Sequence, residues 1–477
     1  MTTREFEALP PSAMPWAQGL SHARVGPARE TTCASEDPRI ARDGSHPSTS
    51  QALATLRGVA ILFVVAMHAT MPYMAFVKAP SADFAQLPYS WLAFPIVDSR
   101  RWLGFDIFAA WIDVYLMSLM FFLSGLFVNS SLVSKGSRAF LAMRGMRLGA
   151  PFVFALFVVM PVALYPAYQV RSLNPTLLGY IKAYLSLPFW PNGPMWFLWM
   201  LLAMTFVVAA LHQVAPRGGE LLRRLSSDAA KFPGRYFLGL ATTATLAYVP
   251  LAFAFSPWDW RQWGPFTFQV SRPTLYLVYY LAGYGVGAHG LAKGLLATNG
   301  RLAANWLRWS FGAIASLLLW MGLTGLTLTY STSAPSALHV LAEVVYAWAG
   351  AASIFFVLAA SLRLRAYRSV VLGALSHNAF GIYLLHYAPL VWLQYEMLDV
   401  SLPAVLKALI VFTGTLLAAF AGTLVLRGAL QRSRRMGTYM RMFGQRTPPI
   451  AADTLMTGHR SSLTACKPGT MTIVQAP

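Results

Sequence analysis

Apolar stretches of about 20 residues recur along most of this chain and constrain its fold more than any other feature. Ten such segments can be distinguished, at residues 52–76, 107–131, 149–169, 194–214, 236–256, 273–292, 304–330, 336–362, 370–397 and 402–426. Each is long enough to cross a bilayer as a helix. Only 11% of the residues are charged, whereas soluble domains carry about 25%. The sequence therefore predicts an all-α polytopic membrane bundle of about ten transmembrane helices.

The distribution of lysine and arginine predicts how the bundle is oriented. Loops after the even-numbered segments are rich in Lys and Arg, and loops after the odd-numbered segments are poorer. By the positive-inside rule, the even-numbered loops and both termini are cytoplasmic. This placement accounts for much of the net charge of +20, so the basicity does not indicate nucleic-acid binding. Residues 78–106 are predicted to form a re-entrant or interfacial loop. The alternative number of transmembrane spans, nine or eleven, depends mostly on how this segment is assigned.

Polar tails flank the predicted membrane domain, which covers residues 51–427. Residues 1–50 are predicted to be a disordered cytoplasmic tail. Residues 428–477 form a second, basic cytoplasmic tail that can lie on anionic headgroups. Cys33 and Cys466 both fall in these tails, and the sequence has no disulfide framework and no metal-ligand spacing. The sequence predicts neither a metal nor a bound cofactor.

Ionisable side chains inside the apolar segments are the candidate functional residues, because they are costly in a bilayer. Arg57 and His68 of the first segment are eleven residues apart, which puts them on one helix face, about 16 Å apart along the axis. In the predicted orientation His68 lies in the outer half of the membrane, as do Asp113, Glu343 and His386 of other segments. Asp113 or Glu343 could orient His68 as a general base, and an interhelical hydrogen bond is the alternative at each position.

Short motifs in and beside these segments form an ordered series. They are Arg57 and His68 separated by ten residues, MFFLSGLFV at 120–128, RGMR at 144–147, PMWFLWMLL at 194–202, LAGYGVG at 281–287 and SHNAFGIYLLHYAPL at 376–390. From about residue 52 to 426 the series resembles acyltransferase family 3 membrane proteins. RGMRLGAPF is most similar to the family's glucan biosynthesis protein C-like branch. GYGVG lies inside a segment, where small residues favour close helix contact and not dinucleotide binding.

The chain departs from the family's pattern at two places. The family often has Asp two residues before FF, where this chain has Ser118 or Leu119 and carries its acid at Asp113. The late motif usually reads Ser-Tyr, whereas here it is Ser376-His377. We expect no extracytoplasmic hydrolase domain after the last segment, so the membrane domain is expected to complete the transfer or to hand it to a separate periplasmic partner.

The resemblance implies transfer of an acetyl or succinyl group from cytoplasmic acyl-CoA to a hydroxyl of an envelope glycan. The acceptor would be a periplasmic glucan, O-antigen or exopolysaccharide, and the protein would be integral to the bacterial inner membrane. His68 would act as the general base, and Arg57 would hold the donor's phosphate or pantetheine carbonyl. Arg144 and Arg147 would bind the CoA phosphates through bidentate guanidinium contacts. The alternative for these last two is ordinary positive-inside charge.

The acceptor side is assigned to aromatic residues and a second histidine. Trp196 and Trp199 could stack on a sugar, although interfacial tryptophan belts are common. Tyr383 and His386 could line the acceptor path or polarise the thioester carbonyl. No serine or cysteine stands out as a nucleophile, so direct transfer to the acceptor is preferred over an acyl-enzyme intermediate. A succinyl donor would require one more cation near the acyl pocket.

Two other functions remain open at this point. A transporter or flippase for a glycan or lipid would also carry charges inside ten spans, but the sequence has no internal repeat and no matching broken helices. A sensor or scaffold with a basic tail would not need an intramembrane histidine and arginine. Turnover of acyl-CoA distinguishes the acyltransferase from both.

Overall fold

The chain folds almost entirely into α-helices in the part that the computed structural model describes. The described residues are 49–77, 84–85, 89–330, 333–364 and 370–443. The helices are α1 Thr49–Thr70, α2 Leu103–Gly125, α3 Val128–Arg144, α4 Ala150–Phe154, α5 Met160–Arg171, α6 Leu177–Leu185, α7 Trp196–Val214, α8 Pro216–Leu225, α9 Pro233–Phe255, α10 Pro273–His289, α11 Arg301–Ala304, α12 Trp306–Tyr330, α13 Ser336–Arg363, α14 Val370–Leu385, α15 Tyr387–Glu396 and α16 Ala404–Phe443. One antiparallel hairpin, β1 Trp260–Trp263 and β2 Phe266–Gln269, joins α9 to α10 with Trp260 opposite Gln269.

The prediction of an all-α polytopic bundle is confirmed. Eight helical stretches of the described residues are long and apolar enough to cross a membrane. Each of the ten predicted segments contains a helix. The two that fall short of a full span are 273–292, where α10 has 17 residues, and 370–397, which is divided between α14 and α15.

Proline explains the division of the segment 370–397. Pro389 has no amide hydrogen and therefore cannot donate to the carbonyl of Leu385, four residues earlier. The neighbouring bonds persist, from His386 N to Ile382 O at 2.9 Å and from Leu390 N to His386 O at 3.1 Å. The chain therefore stays helical through the break, and His386 lies at the junction of α14 and α15.

Two π-helical turns, Gly145–Gly149 and Ala155–Val159, join α3, α4 and α5 into one stretch that ends at Arg171. Each turn ends just before a proline, Pro151 or Pro161. A proline inside a helix removes a donor and crowds the carbonyl four residues earlier, and a wider π turn relieves that crowding. Such turns are frequent at functional sites.

Glycines bring α2 and α10 into backbone contact at the centre of the bundle. A Cβ atom added to Gly283 would lie 2.1 Å from the carbonyl oxygen of Phe122, and one added to Gly287 would lie 1.9 Å from that of Leu126. No side chain fits at these positions. The prediction that GYGVG serves close helix contact is therefore confirmed.

The region 89–102 is an irregular loop that packs against the bundle. Its only helix is the short 3₁₀ turn Ser90–Leu92. The buried pair Asp98–Lys407, with 2.7 Å between Oδ2 and Nζ, ties the loop to α16, and Arg171 donates to the carbonyls of Pro95 and Phe94 at 2.8 and 3.3 Å. Residues 78–83 and 86–88 of the predicted re-entrant segment lie outside the described residues.

Candidate active site

His68 and His386 come together in the bundle, although 318 residues separate them in the chain. Their ring centroids are 5.4 Å apart. His68 lies near the end of α1 and is half-buried, whereas His386, at the junction of α14 and α15, is completely buried. The two rings are called the histidine pair below. The sequence placed both residues in the outer half of the membrane, and the structure brings them into contact.

Local hydrogen bonds determine the tautomer of both rings. His68 Nδ1 lies 2.8 Å from the carbonyl oxygen of Val64, and His386 Nδ1 lies 2.6 Å from that of Tyr383. A carbonyl only accepts, so each Nδ1 must carry the proton. In the neutral ring the lone pair is then on Nε2. His386 Nε2 is buried and has no hydrogen-bond partner among the described residues.

Polar and aromatic side chains hold the histidine pair in place. Tyr387 meets the His68 ring edge-on, with centroids 5.9 Å apart. Gln394 donates to the His68 carbonyl at 2.7 Å, which fixes the end of α1 against α15. The hydroxyl of Tyr383 donates to Pro194 O at 2.5 Å, so this predicted acceptor residue is anchored to the loop before α7.

Trp196 belongs to an aromatic path that leads from the hairpin toward the histidine pair. Its ring meets Trp260 edge-on, with centroids 6.0 Å apart, and lies 6.4 Å from Phe197. Phe197 is 6.1 Å from Tyr383, whose ring is 5.9 Å from that of His386. Trp199 instead packs against β2, on Phe266 and Phe268 at 5.1 and 5.9 Å.

Two arginines without a described acidic partner lie near one another, one of them in the first half of α1. Arg57 is half-buried, its guanidinium lies 4.5 Å from the centre of the Phe127 ring, and it reaches the Leu123 carbonyl at 3.5 Å. Arg144, at the end of α3, is close enough for the two charges to repel. Neither forms an ion pair with a described acidic side chain. Uncompensated neighbouring cations favour binding of an anion.

Arg147 does not share the surroundings of Arg144. Arg144 is half-buried and lies over the ring of Phe140 at 5.5 Å, whereas Arg147 is exposed within the first π turn. Residues three apart share one face of an α-helix, whereas the π turn Gly145–Gly149 changes that geometry between Arg144 and Arg147.

The two candidate carboxylates do not orient His68, because Val64 O holds its Nδ1. They belong to what we call the arginine network, centred on Arg272 before α10. Arg272 donates to Asp113 Oδ2 at 2.8 Å and to the Tyr346 hydroxyl. Glu343 accepts from the buried Tyr248 at 2.7 Å, and the Tyr248 ring lies 4.9 Å from that of Tyr346. A charge buried in a membrane protein needs such a partner.

Arg272 and Arg427 were not among the predicted site residues. Arg272 directly precedes the sixth segment, in a loop with few basic residues, and an arginine there is the signal that could have marked it. Arg427 lies at the end of the apolar part of α16 and contacts His377 Nε2 at 2.6 Å and Asn378 Oδ1 at 2.7 Å. His377 stands where the resembled family usually has tyrosine, so this departure supplies an acceptor for Arg427.

Comparison with protein-family models gives a match over most of the chain. A family model described as an acyltransferase domain, Acyl_transf_3, covers residues 51–427. No curated protein and no solved structure matches the chain. The match favours an acyltransferase over a transporter or a scaffold. It spans the helices that carry the histidine pair, Arg57 and Arg144, and the arginine network. The chain therefore belongs to acyltransferase family 3 and is an integral membrane acyltransferase.

Proposed function

We propose that this acyltransferase moves an acetyl or succinyl group from cytoplasmic acyl-CoA to a hydroxyl of an envelope glycan, with His68 as the general base. The observation that carries the proposal is the bond between His68 Nδ1 and Val64 O at 2.8 Å. It leaves Nε2 as a basic nitrogen on a half-buried ring. The family's activity requires a group that takes a proton from the acceptor hydroxyl.

The reaction balances when His68 carries the proton from the acceptor to the leaving group. Nε2 takes the proton from the glycan hydroxyl as the oxygen attacks the thioester carbonyl, and a C–O bond forms. Collapse of the tetrahedral intermediate breaks the C–S bond, and the protonated His68 returns its proton to the CoA thiolate. The products are the glycan ester and free CoA, so transfer is direct and needs no acyl-enzyme intermediate.

His386 serves as a second proton acceptor in this proposal. With Nδ1 held by Tyr383 O, a neutral His386 has no proton on Nε2 with which to polarise the thioester carbonyl. Its ring lies 5.4 Å from that of His68. It can therefore receive or share the proton that His68 takes up.

The donor enters beside Arg57 and Arg144, the two cations without acidic partners. Guanidinium groups bind phosphates through paired, charge-assisted hydrogen bonds, so these residues suit the phosphates of CoA. Arg57 and His68 lie on one helix, about 16 Å apart along the axis. The extended pantetheine arm of CoA would cross that interval to bring the thioester to the histidine.

The acceptor approaches along the aromatic path from Trp260 to Tyr383. Trp260 is 43% exposed, and aromatic faces suit the apolar faces of sugar rings. Trp196 takes the middle of this path, which supports its predicted contact with the acceptor. The same proposal includes location in the inner bacterial membrane, closeness to the glucan biosynthesis protein C-like branch and a separate periplasmic partner.

The test is mass spectrometry of envelope glycans from cells that make the intact protein, no protein or a His68→Asn variant. Asparagine retains an amide donor near the position of Nδ1 and can still bond to Val64 O, but it lacks a basic nitrogen. We expect an acyl mass increment with the intact protein only. The increment also identifies the acyl group.

His212→Gln is the matched control, because it removes a histidine at the end of α7, about 22 Å along that helix from Phe197, the α7 residue that contacts Tyr383. It should acylate glycans like the intact protein. An increment that survives in His68→Asn would reject His68 as the base while leaving acyl transfer in place. Unchanged glycans in every strain would reject the glycan acceptor.

A further inference from the structure

A groove of about 400 Å³ lies between α9, α12 and α13, away from the histidine pair. Three aromatic rings form its centre: Phe237 lies 5.3 Å from Trp309 and meets Trp348 edge-on at 5.8 Å. Gly312 and Ser316 continue the wall along α12. Asn305 and Arg308 are two further polar residues of the lining and mark the end nearest the start of α12.

This groove opens toward lipid. Only 17% of the most apolar stretch of α12 is buried within the protein, and its flanks carry Leu307, Phe311 and Leu318 with 62, 76 and 63% of their surface exposed. An apolar helix flank so exposed faces the acyl chains of the bilayer. The groove is therefore accessible laterally from the lipid bilayer. Its volume falls within the range of small-molecule binding sites.

Positive charge collects at the Arg308 end. Arg235 and Arg301 both lie over the ring of Phe232, at 4.6 and 6.0 Å, and Arg301 also donates to the carbonyl of Lys231 at 2.8 Å. Phe232 directly precedes Pro233, which lines the groove.

Basic residues outnumber acidic ones around this charge, where Asp228 lies in the loop that carries Lys231. The sequence has no Asp or Glu between Asp259 and Glu343. Arg308 forms no ion pair with an acidic side chain in the described ranges. The four cations outnumber Asp228 and therefore leave a net positive charge where α9 and α12 begin, on the side that the positive-inside rule assigns to the cytoplasm.

We propose that the groove binds one anionic phospholipid of the cytoplasmic leaflet. Its phosphate contacts Arg308, with Lys231, Arg235 and Arg301 contributing attraction. One acyl chain lies along Gly312 and Ser316 beneath the aromatic rings. Basic pockets between transmembrane helices on the cytoplasmic side recognise anionic headgroups in this way. The inference does not rest on the proposed acyl transfer.

Native mass spectrometry of the full chain, released from nanodiscs, tests the proposal. The nanodiscs contain phosphatidylglycerol and phosphatidylethanolamine in equal amounts. We expect the unmodified protein to retain one phosphatidylglycerol, with at least a fivefold preference over phosphatidylethanolamine. Arg308→Gln should reduce that preference about fivefold, because each cation near an anionic headgroup contributes about 1 kcal/mol.

Gly312→Leu tests the acyl-chain part of the groove, and Gly322→Leu on the same helix is its matched control. A Cβ at either glycine meets no atom within 4 Å, so both variants should fold, but only Gly312 lines the groove. We expect Gly312→Leu to lose the retained lipid and Gly322→Leu to keep it. Equal retention of the two lipids by the unmodified protein would overturn the proposal, and so would equal behaviour of the two glycine variants. If Gly312→Leu does not fold, the lipid preference of the Arg308→Gln variant tests the proposal by itself: a preference equal to that of the unmodified protein would overturn it.

Discussion

The histidine pair and the arginine network are both polar clusters between transmembrane helices, but they use their polar atoms differently. In the arginine network, Asp113 and Glu343 each accept a hydrogen bond, and Arg272 has both an acidic and a phenolic partner. In the histidine pair, each Nδ1 is satisfied by its own helix and Nε2 is left for another molecule. A network of paired charges holds helices together, whereas a basic nitrogen held in place without a partner is suited to catalysis.

The arginines differ in the same way. Arg272 is neutralised by Asp113 at 2.8 Å, while Arg57 and Arg144 lie near one another with no described acidic partner. In the first arrangement the charge of Arg272 is paired within the protein, although its Nε has no hydrogen-bond partner among the described residues. The second becomes favourable when an anion binds. The comparison therefore assigns stability to Arg272 and substrate binding to Arg57 and Arg144.

The largest expected effect is on turnover in His68→Asn. Loss of a general base lowers the rate by about 10²- to 10⁴-fold, while the Val64 hydrogen bond and the unfolding midpoint should be retained. The measurement is acyl transfer by the purified protein, with a thermal unfolding curve on the same sample. A fall in midpoint as large as that of Arg272→Met would show that the histidine pair is structural.

Arg272→Met should have the opposite profile. It leaves the Asp113 carboxylate, 28% exposed, without its cation, and breaking a buried pair from one side costs about 3–5 kcal/mol. Because Asp113 is only partly buried, we expect the lower end, measured as loss of unfolding free energy. Adding Asp113→Asn should recover part of that loss. If the Arg272→Met protein were as stable as the unmodified protein, the assignment of Arg272 to stability would be contradicted.

Tyr248→Phe removes one hydrogen bond from the arginine network. Glu343 Oε2 loses its donor at 2.7 Å, which should reduce stability by about 1–3 kcal/mol. Tyr330→Phe, at an exposed position on α12, is the control and should leave the unfolding midpoint unchanged. Equal midpoints in the two variants would mean that Glu343 finds another donor.

Arg144→Gln should weaken donor binding without affecting the fold. Loss of one charge-assisted contact to phosphate corresponds to about tenfold in affinity, so we expect the KM for acyl-CoA to rise about tenfold with kcat and the unfolding midpoint unchanged. Arg217→Gln, on the exposed helix α8, is the control. A fall in kcat with unchanged KM would place Arg144 outside the donor site.

The smallest effect is expected at the exposed ion pairs of α8. Arg223 and Arg224 donate to Glu220 at 2.6 and 2.9 Å, and the hydrogen bond from Arg223 is the main cause that lowers the Glu220 pKa to about 2. A lowered carboxyl pKa contributes stability above its unfolded value of about 4.3, and that stability is lost as pH falls toward 2. Glu220→Gln should not change the unfolding midpoint between pH 5 and 8, because exposed pairs are screened. A midpoint shift comparable to that of Arg272→Met would contradict the contrast between exposed and buried pairs.

Much of the fold could be predicted because hydrophobicity is local. The ten apolar segments, the common face of Arg57 and His68 and the close-contact role of GYGVG all follow from helical geometry within one segment. The errors arose where the backbone departs from a regular α-helix. Pro389 divides the ninth segment, and the π turn before Pro151 separates Arg147 from Arg144. Predicted depth also proved too coarse to assign partners, since Asp113 and Glu343 were predicted to lie level with His68 but bond to Arg272 and Tyr248.

The sequence alone was enough to establish the class of protein, its helical segments and the motifs of its family. Each apolar segment and each motif lies within about 20 consecutive residues, so recognising it requires no tertiary contact. Partner choice was decided only by how the helices pack. Asp113 and Arg272 are 159 residues apart, and they meet because glycines let α2 and α10 approach to backbone contact. His386 contacts His68 from the junction of α14 and α15, where Pro389 interrupts the hydrogen bonding of the helix. Contacts between distant segments depend on the shapes of helix surfaces, which no single segment contains.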